Sequence, residues 1–233
     1  MDGELPGEPG TVFSVVRLVA GIGLRCWLRV YHRLRIVGRE KLPVDRSFVM
    51  IANHASHLDA LCLLSALPLA SLRQTYAAAA RDYFCESAAR TFWTSLVVNA
   101  IPFDRQFAPW GSVGLCARLL QEPGRILILF PEGTRSSDGE VGEFKPGVAM
   151  LAAGCDVPIV PCLLEGAHPA LPKGSWIPRP TSIRLTIGQP HSFAQMRPSR
   201  ESARQICRTL RDAVLALASG AEGVPTMREK MSA

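Results

Sequence analysis

The chain has 233 residues, enough for one domain with a small appendage. Hydrophobic residues make up 48% of it, which supplies a core and excludes a disordered protein. The net charge of +6 points to an anionic partner: a membrane surface, nucleic acid or a phosphorylated substrate.

Residues 1 to 10 read as a loose, acidic, Gly/Pro-rich tail with nothing of a signal peptide. Residues 12 to 37 are apolar but interrupted by Arg17, Arg25, Arg29, Arg33 and Arg35. No uninterrupted run reaches the ~20 residues needed to span a bilayer. The expectation for residues 11–36 is therefore an amphipathic helical segment lying in the membrane interface. The competing expectation is a helix packed on the domain itself.

The main domain is expected over residues 37–219, with a loose C-terminal tail at 220–233. SFVMIAN (47–53) reads as a buried strand ending in a polar turn, and LDALCLLSAL (58–67) as a helix. Strands are expected at 76–80, 100–103, 125–130, 157–166 and 181–188. Helices are expected at 88–98, at 113–121 before Pro123–Gly124, at 147–153 and at 199–218. The alternation predicts an α/β fold with a mixed, largely parallel sheet flanked by helices. The seven cysteines form no CxxC pair and read as reduced, buried thiols.

Two stretches carry chemistry. In IANHASHLDALCLLSAL (51–67), His54, His57 and Asp59 follow a strand. The HxHxDH ligand pattern of metallo-β-lactamase-type hydrolases is not met. One extra residue separates the histidines, and Ala60 stands where the last His belongs. His32, His168 and His191 are the remaining histidines, which leaves a two-metal site short of ligands. Without metal, His54 and Asp59 are five residues apart, ~140° of rotation on one continuous helix. They meet if His54 sits in the turn and Asp59 in the first helical turn. Asp59 then fixes the imidazole tautomer, and the other ring nitrogen is left as a base. With no GxSxG elbow present, that base need not act on an enzyme nucleophile and is free to take a proton from a substrate hydroxyl directly. The plainer alternative is an Asp that caps the helix and a solvated His.

The second stretch is FPEGTRSSDGE (130–140), which follows the apolar strand RILILF. A strand emptying into Pro131, Glu132, Gly133, Thr134 and Arg135 builds a site at its carboxyl end. Gly133 permits close backbone approach, and Thr134 and Arg135 offer donors suited to phosphate. Glu132 is expected to orient an arginine or a substrate hydroxyl. Other classes lack their residues. No GxxxxGK[ST] occurs, GIGLRC (21–26) lacks the third Gly of a dinucleotide fingerprint, and 7% aromatics without basic–aromatic interleaving argue against nucleic acid.

Together the stretches resemble the glycerolipid acyltransferase family, which includes glycerol-3-phosphate and lysophosphatidic acid acyltransferases. The family's NHxSxxD block stands here as Asn53, His54, Ser56 and Asp59, and FPEGTRS is complete from Phe130 to Ser136. NAIPFDR, with Arg105, is similar to the second block, and VPIVP (157–161) to the fourth. EFKPGVAML supplies the Lys–x–Gly segment with Lys145. The second block departs from the pattern: Asn99 or Ala100 replaces the usual glycine, and Pro102 a hydrophobic residue.

The resemblance implies acyl transfer from acyl-CoA or acyl-acyl carrier protein to a lysolipid hydroxyl, with no bound cofactor or metal. It implies His54 as general base oriented by Asp59. It places Asn53, Ser56, Arg105, Glu132, Gly133, Thr134, Arg135 and Lys145 in substrate binding, with His57 structural. Arg105, Arg135 and Lys145 hold the acceptor phosphate, and amides near Gly133 face the oxyanion. Lysophosphatidate is the expected acceptor, and a lyso-aminolipid such as lyso-ornithine lipid the alternative. The implied location is the cytoplasmic side of the cell membrane, peripheral or monotopic, with the membrane surface as a partner.

Overall fold

The structure, a computed structural model, describes residues 11–80, 99–103, 109–172, 174–175 and 177–219. The expected helix at 88–98, Arg105, Cys85 and both terminal tails lie outside the described residues.

The architecture is α/β. Seven strands form one sheet: β1 (Arg35–Val37), β2 (Phe48–Ala52), β3 (Thr75–Ala80), β4 (Asn99–Phe103), β5 (Ile126–Leu129), β6 (Ile159–Glu165) and β7 (Arg184–Ile187). Their order is β1-β7-β6-β2-β5-β3-β4. Every pairing is parallel except β6 with β7, so the sheet is mixed and largely parallel, as the alternation of elements predicts.

Strand β2 lies at the centre between β5 and β6, and all five of its residues are buried. Its continuous apolar run is what a strand covered on both faces requires. Phe48, Met50 and Ala52 enter one core and Val49 and Ile51 the other, following the period of two. β5 divides the same way, with Ile126 and Ile128 on one face and Leu127 and Leu129 on the other.

Helices α1 (Thr11–Tyr31) and α2 (Asp59–Ala66) cover the first face, which gathers Leu28, Leu34, Cys62 and Leu63. Helices α3 (Pro109–Gln121), α4 (Gly147–Ala152) and α6 (Arg200–Ala216) cover the second. The short α5 (Ala167–Ala170) follows β6. α6 begins where Ser199 accepts a bond from the Ser202 amide. It buries Ile206, Leu210, Ala213 and Val214, one stripe at helical spacing.

Two prolines sit where a missing N–H does little harm. Pro161 lies in β6, but the β6–β7 ladder starts at Cys162, beyond its nitrogen, while its carbonyl still accepts from Gly188. Pro102 lies on β4, the last strand of the order.

The structure differs from expectation at α1 and β1. The helix ends at Tyr31, and residues 35–37 join the sheet beside β7, so the sheet begins two residues before residue 37. Leu28 at 0% exposure fastens the end of α1 to the domain, whereas Val16, Val19 and Ile22 stay exposed. Gly21 allows the close packing of α1 on the turn at Leu69–Gln74, since a Cβ there would lie 2.9 Å from the Leu72 side chain. The cysteines are not uniformly buried, because Cys26 is exposed on the outer side of α1.

Candidate active site

Parallel strands β2 and β5 end side by side, so the turns that follow them meet. The turn after β2 carries His54, and the helix starts at Asp59. The pair therefore escapes the ~140° separation of a continuous helix. His54 Nδ1 lies 2.9 Å from Asp59 Oδ2. The same oxygen accepts the amides of Ala55 at 2.7 Å and Ser56 at 2.8 Å. Asp59 thus fixes the turn ahead of its helix and orients the imidazole, and it makes no side-chain cap to the helix itself, unlike the plainer alternative read from the sequence. Its side chain is 1% exposed and that of His54 18%, which leaves the carboxylate enclosed and the ring open at one edge. The imidazole stacks on Phe130, with ring centroids 4.1 Å apart.

The turn after β5 is joined to the first through backbone. Glu132 Oε1 accepts the His54 amide at 2.9 Å, and the Ser136 amide donates to the His54 carbonyl at 2.7 Å. Glu132 orients neither an arginine nor an exposed hydroxyl; it is buried and holds the histidine's main chain. Burial pushes its carboxyl above the ordinary range, and the amides of His54 and Gly142 pull it back. Arg211 of α6 fixes that support from behind, with its guanidinium bonded to the carbonyls of Gly142 and Val141 at 3.0 and 3.1 Å.

Asn53 and Ser56 are placed inside the scaffold. The Asn53 amide bonds both backbone groups of Leu164, at 2.9 and 2.8 Å, and tethers the end of β2 to β6. The Ser56 hydroxyl donates to the Leu171 carbonyl at 2.9 Å and accepts from the Leu58 amide at 3.1 Å. At 3% and 0% exposure neither faces an open site. The geometry gives them positioning of the turn rather than contact with a substrate.

Arg135 and Lys145 both lie against the two turns. Arg135 Nη1 bonds His57 Nε2. A guanidinium only donates, so His57 accepts there and aims the arginine. The second histidine thus positions Arg135, a link the sequence signals only through its place between His54 and Asp59. Lys145 is exposed and folds over Gly133, whose φ is 73°; a Cβ at Gly133 would lie 2.9 Å from Lys145 Nζ. The Gly133 amide is engaged by the Phe130 carbonyl at 3.0 Å, so an oxyanion donor in this turn would be another of its amides. Thr134 is exposed at the tip of the turn. Among the described residues no group of three or more His, Cys, Asp or Glu is placed to hold a metal ion.

The fold and site define an α/β protein with a histidine–carboxylate pair at the carboxyl end of a largely parallel sheet. A family model described as Acyltransferase matches residues 33–165, which include both turns. The chain belongs to that acyltransferase family.

The 1-acyl-sn-glycerol-3-phosphate acyltransferase BAT2, chloroplastic, of Brassica napus is 32% identical over 168 residues, 69% of this chain and 45% of the relative. The 1-acyl-sn-glycerol-3-phosphate acyltransferase of Limnanthes alba is 34% identical over 165 residues, 70% of this chain and 56% of the relative. The aligned region is thus about half the length of these curated relatives. The crystal structure of the 1-acyl-sn-glycerophosphate (LPA) acyltransferase PlsC from Thermotoga maritima shares the fold. Its TM-score is 0.68 at 24% identity, over 92% of this chain and 82% of that one.

Proposed function

We propose that this chain is an O-acyltransferase that moves a fatty acyl group from a thioester donor to the free hydroxyl of lysophosphatidate. The observation that carries this reading is the 2.9 Å contact between His54 Nδ1 and Asp59 Oδ2. It puts the proton on Nδ1 and leaves Nε2 as the base. The names of the relatives support the acceptor. The donor is acyl-CoA or acyl-acyl carrier protein, and no cofactor is needed.

In the reaction, Nε2 of His54 takes the acceptor's hydroxyl proton as the oxygen attacks the thioester carbonyl. The tetrahedral intermediate collapses, the C–S bond breaks, and the imidazolium returns its proton to the leaving thiolate. No acyl-enzyme forms. Base catalysis of this kind contributes about 10²–10⁴-fold in rate, and Asp59 stabilises the transient imidazolium. Arg135, aimed by His57, and Lys145 receive the acceptor phosphate together with Arg105. Glu132 keeps the two turns in register.

The acceptor lives in a bilayer. Among the described residues no helix is long and apolar enough to cross one. The exposed apolar residues of α1 support peripheral or monotopic attachment at the cytoplasmic face.

Free-thiol release from acyl-CoA, with and without lysophosphatidate, tests the reading. Acceptor-dependent release that disappears in a folded His54→Ala variant is the expected result. Release with a lyso-aminolipid but not with lysophosphatidate would replace the acceptor and keep the chemistry. Near-normal turnover by folded His54→Ala would remove His54 from the mechanism.

A further inference from the structure

The positive charge of this chain is segregated. No acidic residue occurs from Pro9 to Arg39, or from Gly166 to Arg200, and these two segments hold eleven Lys and Arg. The rest of the chain carries more acid than base. The fold brings the two segments together, because α1 leads into β1, the loop after α5 leads into β7, and β1 and β7 are neighbours at one edge of the sheet.

The junction is held by specific bonds. Tyr31 Oη donates to the Pro178 carbonyl at 2.9 Å. Arg33 donates to Ser182 Oγ at 3.0 Å and to the Pro180 carbonyl at 3.3 Å. Outside these bonds stand two bulky apolar side chains, Val30 at 79% exposure and Ile177 at 78%. The same two segments carry exposed Arg29, Arg33, Arg35, Arg179 and Arg184. Arg35 even lies opposite Arg184 in the β1–β7 register, with Glu165 on the far side of Arg184. Like charges side by side on neighbouring strands disfavour the isolated fold.

This surface lies at the active-site end of the sheet. Arg184 and Arg35 are level with Glu165, the carboxyl end of β6. The loop itself starts at Leu171, whose carbonyl receives the Ser56 hydroxyl from the turn of His54.

We propose that Val30 and Ile177, framed by Arg29, Arg33 and Arg179, form a lipid-insertion surface beside the active site, with a bilayer of anionic headgroups as its partner. The proposal rests on reading the chain as an enzyme of a membrane-borne acceptor. It adds the loop after α5 as a point of attachment separate from the exposed start of α1. Charge complementarity selects the occupant. A second copy would present the same basic face and be repelled, whereas a negative surface gains from each arginine while the two apolar tips enter the acyl boundary. Contact at this end brings the bilayer to the end of the sheet that carries His54.

Flotation of the full-length protein with phosphatidylcholine vesicles, with and without phosphatidylglycerol, tests this without any turnover. Its outcome is therefore independent of whether the chain transfers acyl groups. Wild-type protein is expected to float with the anionic vesicles and poorly with the neutral ones. Ile177→Asp and Val30→Asp should each weaken anionic-vesicle binding by about tenfold or more. Val44→Asp should leave it unchanged, since Val44 is 51% exposed on the loop before β2, at the opposite end of the sheet. Ile177→Trp should bind at least as well as wild type, and it decides the matter if the Asp variants lack a cooperative melt. Unchanged binding by folded Ile177→Asp and Val30→Asp overturns the proposal. So does an equal loss in Val44→Asp, loss of binding by folded Ile177→Trp, or indifference of the wild type to phosphatidylglycerol.

Discussion

Asp59 Oδ2 serves three donors at once: the His54 ring and the amides of Ala55 and Ser56. Asp59→Asn weakens all three, because an amide oxygen is a poorer acceptor and the partner charge for the imidazolium is gone. We expect kcat to fall by about 10²–10⁴-fold, as for loss of the base itself, and the variant to melt lower. Rates and melts measured on the same preparation separate the two effects. Glu132 acts one step further out. Glu132→Gln turns one amide donor toward an N–H that needs an acceptor, either that of His54 or that of Gly142. A residue that only positions His54 should lower kcat and leave the KM for acceptor nearly unchanged. A rise confined to KM would return Glu132 to substrate contact. The sequence made the His54–Asp59 pair legible because its spacing brackets a strand-to-helix turn. It did not show that Asn53 and Ser56 point inward or that His57 pairs with Arg135. Those contacts join residues 78 to 115 positions apart, and no local pattern encodes them.

At the scale of elements, the long apolar runs of β2, β5 and β6 were readable because burial on both faces leaves little freedom in composition. β1 was not, because three residues in an arginine-rich stretch show no period of their own. The turn that leads out of β6 is testable. Gly166 has φ 80°, and a side chain there would run into the Ser182 backbone. Gly166→Ala is expected to cost about 2–3 kcal/mol, from the left-handed backbone and the displaced Ser182 backbone, read as a lower melting temperature. The junction between α1 and β1 also carries a titration. His32 is fully buried, stacked edge-on against Trp27 and Tyr31. Burial holds its imidazole below the ordinary value, against an upward pull from the Thr181 backbone and with a smaller downward push from the charge of Arg33. The fold therefore favours the neutral ring. Its contribution is complete above the unfolded value, near 6.5, and is lost as pH falls below that toward the lower folded value, because the unfolded chain takes the proton first. The melting temperature should drop as pH falls below about 6.5. His32→Phe should flatten the drop in part, with the similarly lowered His191 responsible for what remains.

For the whole molecule, the position of α1 decides how membrane attachment must be tested. Removing all residues to 36 would take Leu28 and Leu34 out of the core and shorten β1, so loss of binding would report unfolding. A cut after Ala20 spares these contacts and removes exposed Val16, Leu18 and Val19. We expect the chain from residue 21 onward to melt within a few degrees of the full chain and to bind anionic vesicles more weakly. Activity on bilayer-embedded acceptor should fall further than activity on acceptor dispersed in detergent, because only the first needs the protein to dock. Part of the binding should remain, carried by Val30, Ile177 and the arginines around them. Adding Ile177→Asp to the truncated chain should abolish it. If the shortened, folded protein floats as well as the full chain and Ile177→Asp then removes all binding, the start of α1 is not an anchor and attachment lies wholly at the active-site end. If neither change lowers flotation, neither the start of α1 nor Ile177 makes the membrane contact.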